Sequence, residues 1–285
     1  MNSFTLPAYA KVNLHLDVLG KFPDGFHQLL TLFERIDLSD ELTVDASAGP
    51  GIEMECDDRK LPCDSSNLVV RAAEEYRRIS GWEQGLRVRL KKRIPVGGGL
   101  GGGSSNASAM LAAMQQLSGN RLTESQLMAC ARKLGADVAF FAARTSWAVG
   151  RVRGDEIEPI PLETRFRHLL VTPDFPIPTK EVYQAFRLNA PAREINPLLA
   201  ALKRGKLSSV RDLLYNALEP AVESLYPAIR NVKSEMETAG LEKPMVSGSG
   251  SAVFALCDSK DQADSAAEIL RKNHPAWRVF TAMTA

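Results

Sequence analysis

Six of the seven residues from Gly97 to Gly103 are glycine, and Ser104, Ser105 and Asn106 follow at once. Glycine loses more backbone freedom on ordering than any other residue, so a run this dense is kept where the main chain must come close to something. Ahead of it, Leu86-Arg87-Val88-Arg89-Leu90-Lys91 alternates with the period of a strand, and Ile94-Pro95-Val96 leads in. Behind it, Ala107, Met110, Leu111, Met114 and Leu117 fall on one helical face, with Gly119 as the stop. Amides at the mouth of a helix lack intrahelical partners and lie at the positive end of its dipole, which makes an anion site. The block therefore predicts phosphate binding, with a nucleotide as the expected carrier. The P-loop pattern is not met, because Ser104-Ser105 stand where Lys-Ser/Thr should follow the last glycine. Gly97, Gly99 and Gly102 match the dinucleotide spacing, but a Rossmann first strand is buried on both faces and nearly all apolar, and this one is half charged.

Elsewhere Val12, Leu14, Leu16 and Val18 alternate with Lys11, Asn13, His15 and Asp17, which reads as a strand with one polar face. Asp24-Gly25 supplies a turn. Residues 29–45 and 51–56 read as further strands, with breaks at Ser39-Asp40 and Gly49-Pro50-Gly51. Asn67 caps a helix over 67–79, and Thr123-Glu124 opens another that ends near Gly135. The later part reads as strand 168–172, helices 179–188, 195–203, 206–216 and 221–239, strand 245–256, helix 260–273 and strand 277–282. Strands mixed with helices in this order predict an α+β fold, and the proline-rich stretch near 159–161 places a division between residues 1–158 and 159–285.

Charge excludes some functions. Lys plus Arg number 35 and Asp plus Glu 34, a formal charge of +1 over 285 residues, which argues against a nucleic-acid binder or an anionic-membrane binder. Arg87, Arg89 and Lys91 share one face of their strand, the pattern of a solvated face. Cys56, Cys63, Cys130 and Cys257 lack zinc or redox spacing and read as reduced thiols, and no apolar run reaches spanning length. A cytoplasmic protein, monomeric or weakly dimeric, is expected.

The segment Pro95-Val96-Gly97-Gly98-Gly99-Leu100-Gly101-Gly102-Gly103-Ser104-Ser105-Asn106-Ala107 resembles the second motif of the small-molecule kinases that group galactokinase, homoserine kinase, mevalonate kinase and phosphomevalonate kinase. Ala8 to Leu14 is similar to that family's first motif, Asp24-Gly25-Phe26-His27 to its Asp-Gly-Tyr-His turn, and Ser247-Gly248-Ser249-Gly250-Ser251 to its third glycine motif. Ser66-Asn67-Leu68, Gly135-Ala136-Asp137-Val138, and Asn216 with Glu219 also fall in family order. The resemblance implies a ribosomal-protein-S5-like N-terminal domain and a ferredoxin-like C-terminal domain, with ATP and Mg²⁺ between them. It implies Lys11 and Asp137 as catalytic residues: Asp137 takes the acceptor's proton, while Lys11 faces the transferring phosphoryl group and keeps Asp137 charged. ATP would lie on Pro95, Val96, Gly97, Gly98, Gly99, Leu100, Gly101, Gly102, Gly103, Ser104, Ser105 and Asn67; the metal ligands are left unassigned. The doubled glycine block is closest in pattern to members that phosphorylate a cytidine-diphosphate-linked polyol in non-mevalonate isoprenoid synthesis. On that reading Asn13, Phe26, His27, Phe33, Thr179 and Tyr183 bind the acceptor, Phe26 and Tyr183 stacking the base and His27 bonding it. The alternatives are a sibling kinase for another small alcohol and a nucleotide-binding regulator without activity. The chain departs from the family pattern at Ala139, where proline is usual and whose absence would loosen the turn carrying Asp137. It also departs at Phe26 and over the extended segment Gly150-Arg151-Val152-Arg153-Gly154-Asp155.

Overall fold

In the computed structural model, residues 3–188 and 191–285 are described. The alternating opening segment forms β1 (Ser3–Lys21), which pairs antiparallel with β2 (His27–Ser47) through the turn at Asp24-Gly25. The first sheet runs β3 (Ile52–Cys56), β4 (Gly85–Lys91), β2, β1, β8 (Tyr215–Asn216); β5 (Trp147–Arg151) joins β2 and β6 (Glu156–Pro159) joins β5. Helices α1 (Leu68–Ser80), α2 (Gly102–Leu117), α3 (Glu124–Leu134) and α4 (Ala136–Ala142) belong to this part. The α1 cap is Asn67, and Thr123 with Gln126 makes a capping box on α3.

A second sheet, all antiparallel, runs β11 (Arg278–Met283), β7 (Arg167–Thr172), β10 (Val253–Cys257), β9 (Met245–Val246). Its helices are α5 (Thr179–Ala185), α6 (Asn196–Arg204), α7 (Leu207–Leu213), α8 (Glu219–Leu225), α9 (Ala228–Thr238) and α10 (Lys260–Asn273). The expected division at 158/159 falls at the last residue of β6, eight residues before β7 begins, and one apolar cluster spans it, with Ala10, Val12 and Leu14 packed among Leu170, Phe254, Leu256 and Ala282. A polar link crosses the same interface: the Glu34 carboxylate meets His168 Nε2 at 2.9 Å and accepts the Thr284 hydroxyl at 2.5 Å, with Glu34 and His168 fully buried.

Several expectations are corrected. The polar side of β1 is buried at Lys11, Asn13, His15 and Asp17: the glycine turns come against Lys11 and Asn13, the Tyr215 ring lies 5.6 Å from that of His15, and Asp17 accepts Arg193 N at 2.7 Å, while the second sheet packs on the apolar side. The break expected at Ser39-Asp40 is absent, and β2 runs straight through it. The helix read to residue 216 stops at Leu213, and Tyr215–Asn216 pairs parallel with His15–Leu16 as β8. Pro227 splits 221–239 into α8 and α9, and 245–256 is two strands around a turn. The short α4 carries no periodic pattern long enough to announce it. The basic face of β4 is matched by acids on the neighbouring strands, with Arg87–Glu53 at 3.5 Å, Arg89–Asp45 at 3.0 Å and Lys91–Glu41 at 2.8 Å.

His15 gives a pH prediction. Burial pushes its pKa from 6.5 down to about 4, against a smaller upward pull from Asp17, and its Nε2 has no partner. The unfolded chain takes up this proton between those values while the folded chain does not, so stability is lost as pH falls through that window, at up to about 1.4 kcal/mol per unit. Urea unfolding is expected to show a loss of about 2 kcal/mol from this site between pH 7 and pH 5. His15→Gln should flatten that slope.

Candidate active site

Asp40 explains how the glycine segment is held. Its Oδ1 accepts the amides of Arg93 (2.6 Å) and Ile94 (2.8 Å), and its Oδ2 accepts Asn106 Nδ2 (2.9 Å) and the Lys92 ammonium. A buried carboxylate with four donors is fully satisfied. It ties the entry to the glycines and the first turn of α2 to β2. Ser-Asp reads as a turn signal, which is why sequence pattern misses this role.

The N-cap of α2 is Gly101, at φ 70 and without a side-chain cap, and the first turn holds no acidic residue. The first helical bond runs from the Ser105 amide to Gly101 O at 2.8 Å. The unpaired first-turn residues Gly102, Gly103 and Ser104 border a cavity of about 510 Å³. Pro95, Val96, Gly97, Gly98, Gly99 and Leu100 border it too, while Ser105 is buried beneath. At the far end lie Leu61, Pro62 and Leu68, an apolar wall beside Asn67. Both ends of the Asn67 side chain are engaged, accepting Val69 N (2.9 Å) and donating to Pro62 O (2.6 Å), so it shapes the wall.

The third glycine motif packs directly on the second. Gly97 O accepts Ser251 N at 3.3 Å, Gly98 O accepts Ala252 N at 3.1 Å, and Gly99 O accepts the Ser247 hydroxyl at 3.2 Å. At Gly99, φ is 72 and a Cβ would stand 2.1 Å from Ser247 O, so only glycine fits. Asn216 holds the opposing turn: its Nδ2 donates to Val246 O and Gly248 O, both at 2.8 Å, and Glu219 accepts Val246 N at 2.9 Å. Burial raises the Glu219 pKa, with Lys233 at 3.0 Å pulling against it.

Lys11 emerges under this clamp. Its amide donates to Leu100 O (3.0 Å), its Nζ donates to Asn13 Oδ1 (2.7 Å), and Asp137 Oδ2 lies 3.6 Å from that Nζ. Asn13 Nδ2 donates to Thr31 Oγ1 (2.8 Å), whose hydroxyl donates to His15 O (2.8 Å). This relay fixes the Asn13 rotamer and, through it, the lysine; Thr31 carries no motif that would have flagged it. The Lys11 side chain is 5% exposed and that of Asp137 33%, so the acid faces the cavity. Asp137 is the second residue of α4, not its cap, which is Gly135. The amide of Ala139 donates to Gly135 O at 3.3 Å, a bond that a proline at this position could not make. Phe33 is buried against Phe140, centroids 4.7 Å apart, and borders this inner cavity only.

A second cavity of about 950 Å³ adjoins the first, bordered by Phe26, His27, Thr179 and Tyr183, and sharing Asp137. The His27 and Tyr183 rings lie 4.8 Å apart at 31°, while Phe26 is 58% exposed on the rim. Thr179 Oγ1 meets the Ser249 hydroxyl at 2.8 Å, which links this cavity to the third glycine turn. Burial, and then the negative charge of Asp137, hold the Tyr183 phenol well above its usual pKa. Burial and the nearby Lys21 lower that of His27, which favours a neutral imidazole with one donor and one acceptor. Among the described residues no group of three or more His, Cys, Asp or Glu is placed to hold a metal, and no helix is long and apolar enough to cross a membrane.

Residues 67–144 match the GHMP kinases N terminal domain and residues 198–276 the GHMP kinases C terminal domain. A 4-diphosphocytidyl-2-C-methyl-D-erythritol kinase of Desulfotalea psychrophila is 41% identical over 87% of this chain and 84% of its own length. The chain belongs to that family of GHMP kinases. The enzyme of the same name from Desulfitobacterium hafniense is 38% identical over 98% of this chain and 96% of its own. A crystal structure of 4-(cytidine 5'-diphospho)-2C-methyl-D-erythritol kinase superposes with a TM-score of 0.84 at 36% identity, covering 98% of both chains. Homoserine kinase from Cytophaga hutchinsonii, at 22% identity and TM-score 0.79 over 100% of this chain and 95% of its own, shares the fold. The α+β kinase fold read from the sequence is thus the fold of this chain, and as a GHMP kinase it is an ATP-dependent phosphotransferase.

Gly99→Ala is expected to push the two glycine turns apart and lower phosphotransfer by roughly 100-fold, since displacements of about 1 Å at a reacting centre cost that much. ADP release at saturating ATP, with circular dichroism to verify folding, measures it.

Proposed function

We propose that this chain transfers the γ-phosphoryl group of ATP to the 2-hydroxyl of 4-diphosphocytidyl-2-C-methyl-D-erythritol, a step of non-mevalonate isoprenoid synthesis. The observation that carries it is the Lys11–Asp137 pair at the boundary of two cavities, one floored by unpaired helix-mouth amides and the other walled by aromatic rings. The triphosphate lies along residues 95–105 with its base toward the apolar wall beside Asn67. The cytosine lies by Phe26, His27 and Tyr183, with Thr179 beside it. Phe33 supports the inner wall near Lys11. Across the 158/159 division the residues for ATP all lie in the first part, whereas the acceptor pocket takes Phe26 and His27 from the first and Thr179 and Tyr183 from the second.

In the reaction the acceptor oxygen attacks the γ-phosphorus, the bond to the β–γ bridging oxygen breaks, and ADP leaves. Asp137 takes the hydroxyl proton as the new O–P bond forms, and Lys11 balances charge on the transferring group. Asn13 fixes the Lys11 ammonium through the 2.7 Å bond, so little reorganisation is needed when charge develops. Mg²⁺ is a hard cation that usually takes one or two protein oxygens and draws the rest from phosphate and water, so a missing acidic cluster does not conflict with it. Ser104, an oxygen donor that borders the same cavity, fits that requirement and would hold it. When bound, it neutralises phosphate charge.

Homoserine and mevalonate kinases share the fold, but a small polyol would leave the cavity of His27 and Tyr183 without a use. Coupled ADP release with ATP, Mg²⁺ and the cytidine-linked acceptor is expected to show turnover. Asp137→Asn should lower kcat by about 10² to 10⁴ with little change in the KM of ATP. Lys11→Met should fall by a similar factor. Turnover on homoserine or mevalonate with none on the cytidine-linked acceptor would refute the assignment.

A further inference from the structure

Seven residues border both cavities, and Arg153 alone among them carries a positive charge. Lys11 and Lys92 border only the inner cavity; Lys21, Lys180 and Arg187 border only the outer one. Arg153 sits on the turn between β5 and β6, flanked by Val152 at φ 63 and Gly154 at φ 84. The turn is pinned from three sides. Leu29 N donates to Val152 O at 2.7 Å, Gly154 N to Arg151 O at 2.8 Å, and Arg132 Nε to Asp155 O at 3.2 Å. The guanidinium lies 4.5 Å from the Phe26 ring centroid and 5.6 Å from that of Phe22, and pairs with the Asp24 carboxylate. The side chain is still 41% exposed, and one carboxylate uses only part of its five donors.

An acceptor with its base near His27 and Tyr183 and its reacting hydroxyl at Asp137 must lay the connecting group across the boundary between the cavities. In the acceptor proposed above that group is a diphosphate. A guanidinium fork matches phosphate oxygens two at a time, and its flat face rests on aromatic rings while it does so. We infer that Arg153 is a specificity-determining residue that binds the acceptor's diphosphate, so that the enzyme selects a nucleoside-diphosphate-linked alcohol over the free alcohol. Asp24 holds the guanidinium until phosphate arrives, and the Phe22 and Phe26 rings limit where it can go. This rests on the acceptor assignment of the preceding section.

Steady-state kinetics of the full-length wild type, Arg153→Met and Arg153→Lys, varying ATP and acceptor separately, test it together with calorimetric binding of cytidine diphosphate. Loss of a charge-assisted bond predicts an acceptor KM raised about 10- to 100-fold in Arg153→Met, and cytidine diphosphate weakened to match. The KM of ATP should stay within about twofold, and Arg153→Lys should recover part of the loss. Unchanged acceptor KM and cytidine diphosphate affinity in Arg153→Met would overturn the inference, as would a rise in the KM of ATP instead. If Arg153→Met does not fold, Arg153→Gln carries the same comparison. A wild type that binds cytidine diphosphate and turns over the acceptor isolates the role of Arg153. One that does neither removes the acceptor assignment and this inference with it.

Discussion

Two glycine turns from opposite halves of the chain meet backbone to backbone, and the rest of the molecule is organised to keep them there. The contact runs from Gly97, Gly98 and Gly99 to Ser247, Ser251 and Ala252, at distances that leave no room for a side chain. It places a helix mouth, a lysine and two serine-bearing turns around one space. The glycine entropy lost in holding it is offset by bonds at both ends: Asp40 with its four donors on one side, Asn216 and Glu219 on the other.

Around that contact the structure buries polar groups in sets. Lys11, Asn13 and Thr31 form one; Asp40, Lys92 and Asn106 a second; Glu34, His168 and Thr284 a third. An isolated buried charge would be costly, whereas linked ones hold each other in single rotamers. The first two sets border the inner cavity, so rigidity is concentrated around the Lys11 ammonium. The outer cavity is different, with an exposed Phe26 and a half-exposed Arg153 on its rim.

Much of this was legible in the sequence. The glycine block, the helix caps at Asn67 and Thr123, and the motif residues Lys11 and Asp137 are local signals, each tied to a few neighbours in the chain. What stayed hidden depends on distant partners. Alternation along β1 marks a polar face, but only the distant glycine turns, Tyr215 and Arg193 decide that this face is buried. Asp40 reads as a turn residue because its four donors come from residues 92, 93, 94 and 106. Tyr215–Asn216 reads as the end of a helix because a two-residue strand has no pattern of its own, and its register is set by His15–Leu16.

That small strand has a mechanical consequence. Asn216 lies in the sheet of the first half through β1, and its side chain grips the turn of the second half at Val246 and Gly248. A hinge at 158/159 that swung the halves apart would have to tear this stitch, the glycine contact and the Glu34–His168 link together. Access to the two cavities is therefore confined to their rims. By the same account, neither half expressed alone would contain a finished inner cavity, since each supplies one lip of it.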